Sequence, residues 1–113
     1  MTGSVQSEND RRERQRFWIN APLTVILDKR EIAGFTRDLS NQGVYFFLDT
    51  AGIAPIDGEI NFLVELPPEI TLSTYCLIRC QGRVVRQEDT SRQLTGIAAE
   101  IHKYSILREA AGA

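Results

Sequence analysis

Little in this sequence could build a metal or redox centre: it holds one histidine, His102, and two cysteines, Cys76 and Cys80. The cysteines stand four apart in an apolar, strand-like stretch with no second pair, so a closed zinc site would need carboxylates to complete it. Two small, reduced core residues are the simpler reading. Catalytic signatures are missing too. No nucleophile is flanked by a base motif, no glycine-rich phosphate loop opens a helix, and the histidine has no identifiable partner. No apolar run approaches the roughly 18 residues of a membrane-spanning helix, which excludes insertion by that route. The opening MTGSVQSEND lacks the basic start and apolar stretch of a secretory signal, and the protein reads as cytoplasmic. Nor is there a large excess of one charge: 13 Lys and Arg against 15 Asp and Glu give a net charge of -2. A general basic surface for coating long nucleic acid is therefore not expected.

What is present is a strand pattern. At 113 residues with 42% apolar content the chain suits one core. Residues 1–10 are polar and read as a disordered tail, leaving residues 11–113 as a single domain. From Pro22 onward apolar side chains recur with period two, the spacing that places alternate residues on opposite faces of a sheet. Leu23, Val25 and Leu27 share one face; so do Val44, Phe46 and Leu48, then Ile60, Phe62, Val64 and Leu66, then Cys76, Ile78, Cys80 and Val84, then Ile97, Ala99 and Ile101. Pro67 and Pro68 end the third of these runs, since proline donates nothing to a ladder, and Gly82 marks a bulge or bend in the fourth. About six short strands with turn-rich links and no interleaved helices predict an antiparallel all-β barrel or sandwich. SILREAA, residues 105–111, is the one segment expected to be helical, with Ser105 as N-cap and Ile106, Leu107 and Ala110 as a short apolar stripe that plugs one end.

Two polar stretches carry the chemistry. RRERQRF, beginning at Arg11, packs four arginines into six positions. Residues 1–16 carry four positives against three negatives and the remainder nine against twelve, so the positive charge is local and suits a small anion. Clustered guanidiniums are rarely buried unpaired and wait for solvent or for phosphate. The other stretch is DLSNQG: Asp38 and Ser40, two apart, project from one face at a strand end, and Gly43 is free to turn at positive φ. Arg12 and Arg16 form R-x-x-x-R, and about twenty residues later D-x-S-x-x-G feeds the apolar strand VYFFL.

This order and spacing resemble the PilZ domain, a family of bacterial receptors for cyclic di-GMP, from about Arg11 to Tyr104. The resemblance implies a six-stranded antiparallel β-barrel with a C-terminal helix. It also implies that Arg12 and Arg16 contact phosphate and the guanine O6/N7 edge, that Asp38 and Ser40 accept from base N–H groups, and that Gly43 shapes the turn. Arg11 would reach a second ligand molecule, since some members bind a stacked pair. Guanine suits these residues chemically: O6 and N7 are adjacent acceptors for a planar guanidinium, and N1–H and N2–H are donors for a carboxylate. A mobile arginine arm that closes on binding would spend much of its contact energy on ordering, which implies micromolar affinity and a changed surface for an effector protein. Two other readings stand beside this one: a small barrel that binds single-stranded nucleic acid through its arm, against which the acidic body argues, and a PilZ-like interaction module without ligand. Trp18 is expected to pack onto the barrel, and Tyr45 and Phe47 to meet the C-terminal helix.

Overall fold

Alternation decides which face of each strand turns inward, and six such strands close on themselves. A computed structural model describes residues 16–28, 30–49, 56–71, 74–90 and 93–111. Residues 1–15, which hold the expected tail and both Arg11 and Arg12, lie outside the described residues. The strands are β1 (Pro22–Leu27), β2 (Arg30–Leu39), β3 (Gly43–Asp49), β4 (Glu59–Leu66), β5 (Thr74–Asp89) and β6 (Leu94–Ala111). A one-turn helix, α1 (Pro68–Thr71), follows β4. It starts where Pro68 tolerates the missing donor of a first turn.

The barrel runs β1-β2-β3-β6-β5-β4 and is closed by β4 pairing with β1, with every neighbouring pair antiparallel. Two three-stranded meanders are thus stitched together, β3 against β6 on one side and β1 against β4 on the other. The expected inward residues fill the interior: Val25, Phe46, Leu48, Phe62, Val64, Cys80 and Ile97 are fully buried, and the Phe46 and Phe62 rings meet at 5.7 Å. Leu27, Leu66, Val84 and Ile101 pack at its edge. Cys76 and Cys80 are buried with no disulfide between them, and burial pushes the Cys80 thiol up to about 12, so it is a protonated core group at neutral pH. Among the described residues no helix is long and apolar enough to cross a membrane, and no group of three metal-ligating side chains gathers.

The expected C-terminal helix is not what these residues form. β6 continues without a break through residues 105–111, paired with β5 as far as Thr74↔Ala111. A helix so short is marginal unless a partner buries its stripe, whereas β5 offers an edge that satisfies each backbone group in turn. Ile106 accordingly sits opposite Ile78, and Ile106 and Leu107 remain exposed.

The bulge expected at Gly82 is present, as a register shift between Gln81 and Gly82. There the two strands approach so closely that a Cβ on residue 82 would lie 1.9 Å from the Glu100 carbonyl oxygen. Gly82→Ala must therefore part β5 from β6. We expect a loss of about 1–3 kcal/mol, the usual range for overpacking, read as a lower urea midpoint with an unchanged denaturant slope.

Candidate functional site

One extra residue in β2 creates the site. Thr36 pairs with Phe46 and faces the core, yet the next ladder partner of Tyr45 is Asp38, so Arg37 is passed over. Regular alternation would have sent Asp38 inward beside Thr36; the bulge reverses the phase and aims it at the outer face with Tyr45.

The chain before β1 runs along this same part of β2. Phe17 and Leu39 exchange backbone hydrogen bonds of 2.8 and 3.0 Å, and Thr36 donates its N–H to the Ala21 carbonyl at 2.9 Å. Thr36 fixes the segment further. Its buried hydroxyl accepts from the Ala21 N–H at 2.8 Å and donates to the Ile19 carbonyl, while Asn20 Nδ2 donates to the Thr36 carbonyl at 2.8 Å. Because Phe17 pairs with Leu39, Arg16 and Trp18 fall on the opposite face, where Asp38 lies.

Asp38 is 1% exposed, and both carboxylate oxygens are taken: Arg16 Nη1 donates to Oδ1 at 2.5 Å and Arg37 Nε to Oδ2 at 2.8 Å. A buried charge demands such pairing, and charge-assisted bonds of this kind are the strong ones. Arg37 also lies 4.0 Å above the Tyr45 ring and 5.3 Å from the Trp18 ring. Trp18 lines the same region and is 72% exposed, so it does not pack onto the barrel as expected.

DLSNQG closes the other side. The Ser40 hydroxyl accepts from the Gln42 and Gly43 N–H groups at 3.2 Å each, and the Ser40 N–H donates to the Gly43 carbonyl at 2.9 Å. Serine here builds the turn, a usual role for a hydroxyl at that position. Gly43 does not adopt the positive φ expected of it: among the described glycines only Gly58 does. What glycine provides here is close approach, since a Cβ would sit tightly, at 3.1 Å, against the Ala99 carbonyl oxygen.

The floor belongs to β6, which lies between β3 and β5. Ala98 sits opposite Tyr45 on one side and Arg86 on the other; Gly96 sits opposite Phe47 and Glu88. These small residues leave a trough across which Tyr45 Oη donates to Glu88 Oε1 at 2.5 Å, with Arg86 Nε on Glu88 Oε2 at 3.1 Å. A Cβ on residue 96 would lie 2.0 Å from Tyr45 Oη, so the glycine is what lets the phenol cross. Tyr45 and Phe47, expected beneath a helix, form an edge-on pair at 5.4 Å, and Tyr45 is covered by Arg37.

Together these elements line an open pocket of about 710 Å³ that contains Arg16, Trp18, Arg37, Asp38, Ser40, Gly43 and Tyr45. The structure thus gathers Arg16, Asp38, Ser40 and Gly43 from the sequence reading, while Arg11 and Arg12 lie outside the described residues. Arg37, Thr36, Gly96 and Glu88 were missed. A threonine at an inward position of β2 was the available signal for one of them, and none of the others stands in a motif. Chemically the pocket offers a carboxylate to a flat donor-bearing group, aromatic faces for it to lie against, and guanidiniums for anions.

Burial, then the hydrogen bond to Glu88, raises the Tyr45 phenol above its ordinary 10.0, and the same bond holds the Glu88 carboxyl below its ordinary 4.5. The folded chain thus keeps a phenolic proton that the unfolded chain releases near 10, so stability declines as pH rises from there toward the folded value. Spectrophotometric titration should show a tyrosine transition above pH 10 that Tyr45→Phe abolishes and Gly96→Ala brings down toward 10.

No curated protein matches the sequence. Among solved structures the fold is similar to that of the Bacillus subtilis inhibitor of motility (MotI/DgrA), with a TM-score of 0.65 at 17% identity. The match covers 80% of this chain but only 42% of that one, so this chain spans less than half of that protein's length. The model of the PilZ domain matches residues 10–108, nearly the whole sequence and all of the barrel but the last three residues of β6. The chain therefore belongs to the PilZ domain family, a family of cyclic di-GMP receptors.

Proposed function

We propose that this chain is a cyclic di-GMP receptor that acts as an adaptor and carries no catalysis of its own. PilZ domains are receptor and adaptor modules, not enzymes. The observation that carries the reading is Asp38: a carboxylate turned out of the barrel by a bulge, lying in the wall of an open pocket and held by Arg16, the second arginine of R-x-x-x-R. Its oxygens suit the N1–H and N2–H donors of guanine, while Arg16 suits phosphate or the O6/N7 edge. Ser40 and Gly43 hold the turn that forms the rim.

Arg11 and Arg12 complete the anion site from the arm, which closes over the ligand and alters the surface offered to an effector protein in the cytoplasm. Arg16 supports this. It leads directly into the segment fixed by Thr36, so an arm drawn inward is tied to β2 at a defined point.

Calorimetric titration with cyclic di-GMP tests the reading. We expect micromolar binding, about -8 kcal/mol. Arg16→Ala and Asp38→Ala should each weaken it about tenfold or more, given roughly 1–3 kcal/mol per bidentate contact, with the folded state checked by circular dichroism. Absence of heat with cyclic di-GMP, alongside salt-sensitive binding of a single-stranded oligonucleotide, would reject it in favour of the nucleic-acid reading.

A further inference from the structure

Asp38 presents a difficulty for any ligand. It lines the pocket yet is only 1% exposed, because two guanidiniums lie over it. No incoming donor reaches its oxygens unless one of them moves. Arg16 already has a use in the bound state, on phosphate or on the O6/N7 edge. Arg37 belongs to neither sequence motif, and its side chain is 45% exposed.

Its position is informative. The group is flat, donates N–H to Asp38 Oδ2 at 2.8 Å, and lies 4.0 Å above the Tyr45 ring with Trp18 at 5.3 Å. A guanine base bound to this carboxylate would do the same things: donate N–H to Asp38 and lie on an aromatic face. The likeness is chemical as well as geometric, since N1, C2 and N2 of guanine are themselves part of a guanidine unit. Two planar groups cannot share that carboxylate oxygen and that ring face at once.

We propose that Arg37 is a built-in stand-in for the guanine base, seated on Asp38 and Tyr45 and displaced when the nucleotide arrives. This rests on the cyclic di-GMP reading above. The stand-in keeps a buried carboxylate paired and its oxygens aimed, so the site is preorganised. It also competes with the ligand, so affinity is set partly by how firmly Arg37 holds on. The exchange is inexpensive because the Arg37 side chain is already half-exposed. Residue 37 has no partner in the β2–β3 register, and its side chain can swing toward solvent without breaking a ladder bond.

The test combines arginine side-chain NMR with Arg37→Lys, which keeps the positive charge facing a dianion but removes the planar group. The Nε–H resonance that vanishes in Arg37→Lys identifies Arg37. In wild type it should be protected and shifted by the Tyr45 ring without ligand, and should lose both properties on saturation with cyclic di-GMP. Arg37→Lys should bind about 3- to 10-fold tighter, mainly through faster association, as expected when a half-exposed ion pair and a cation–π contact no longer have to be given up. An Arg37 Nε–H still protected in the saturated complex, or Arg37→Lys binding equal to or weaker than wild type, overturns the displacement while leaving the receptor reading intact. No binding to wild type at all overturns both.

Discussion

Asp38 is an ionisable group in a place that does not tolerate one alone. Burying a carboxylate without partners costs several kcal/mol, and the surroundings of Asp38 are arranged to avoid that. Two guanidiniums meet its two oxygens, one from β2 itself and one from the chain that precedes β1. For the second to arrive, residues 16–21 must be fixed along β2, which is the work of Thr36. For the carboxylate to face outward at all, β2 must skip a residue. Site, bulge and anchored segment are thus consequences of one buried negative charge.

The barrel contributes rigidity at the points where polar groups need it. β6 supplies a floor of small side chains, so residues from β3 and β5 reach across it: the Tyr45–Glu88 bond spans a strand that lies between its partners. Neither of those residues faces the core, but Tyr45 depends on core packing one residue away, since Phe46 and Val44 set the phase in which it points outward.

Most of the interior was legible from period two, because burial on one face of a strand leaves a direct imprint on composition. Val44, Phe46 and Leu48, or Ile60, Phe62 and Val64, announce their own orientation. β2 was harder. Its inward positions include Gly34 and Thr36, and a bulge reverses its alternation partway along. The C-terminal segment misled for a different reason: residues 105–111 have a helical local pattern, and only the edge offered by β5, distant in sequence, overrides it. For the site, the motifs point to Arg16, Asp38, Ser40 and Gly43, which the structure brings into one pocket, whereas Arg37, Thr36 and Gly96 stand in no motif. Their importance lies in what stands across from them, on strands whose pairing no local pattern reveals.

The skipped residue has an evolutionary corollary. Nearly every position of a small barrel is answerable to a neighbour on each side, so altering the wall of a pocket usually disturbs the frame that holds it. Position 37 is answerable to neither flanking strand through the ladder, yet it stands at the mouth of the pocket. A substitution at this one position can therefore change what faces the pocket while the ladder beneath it is inherited unchanged.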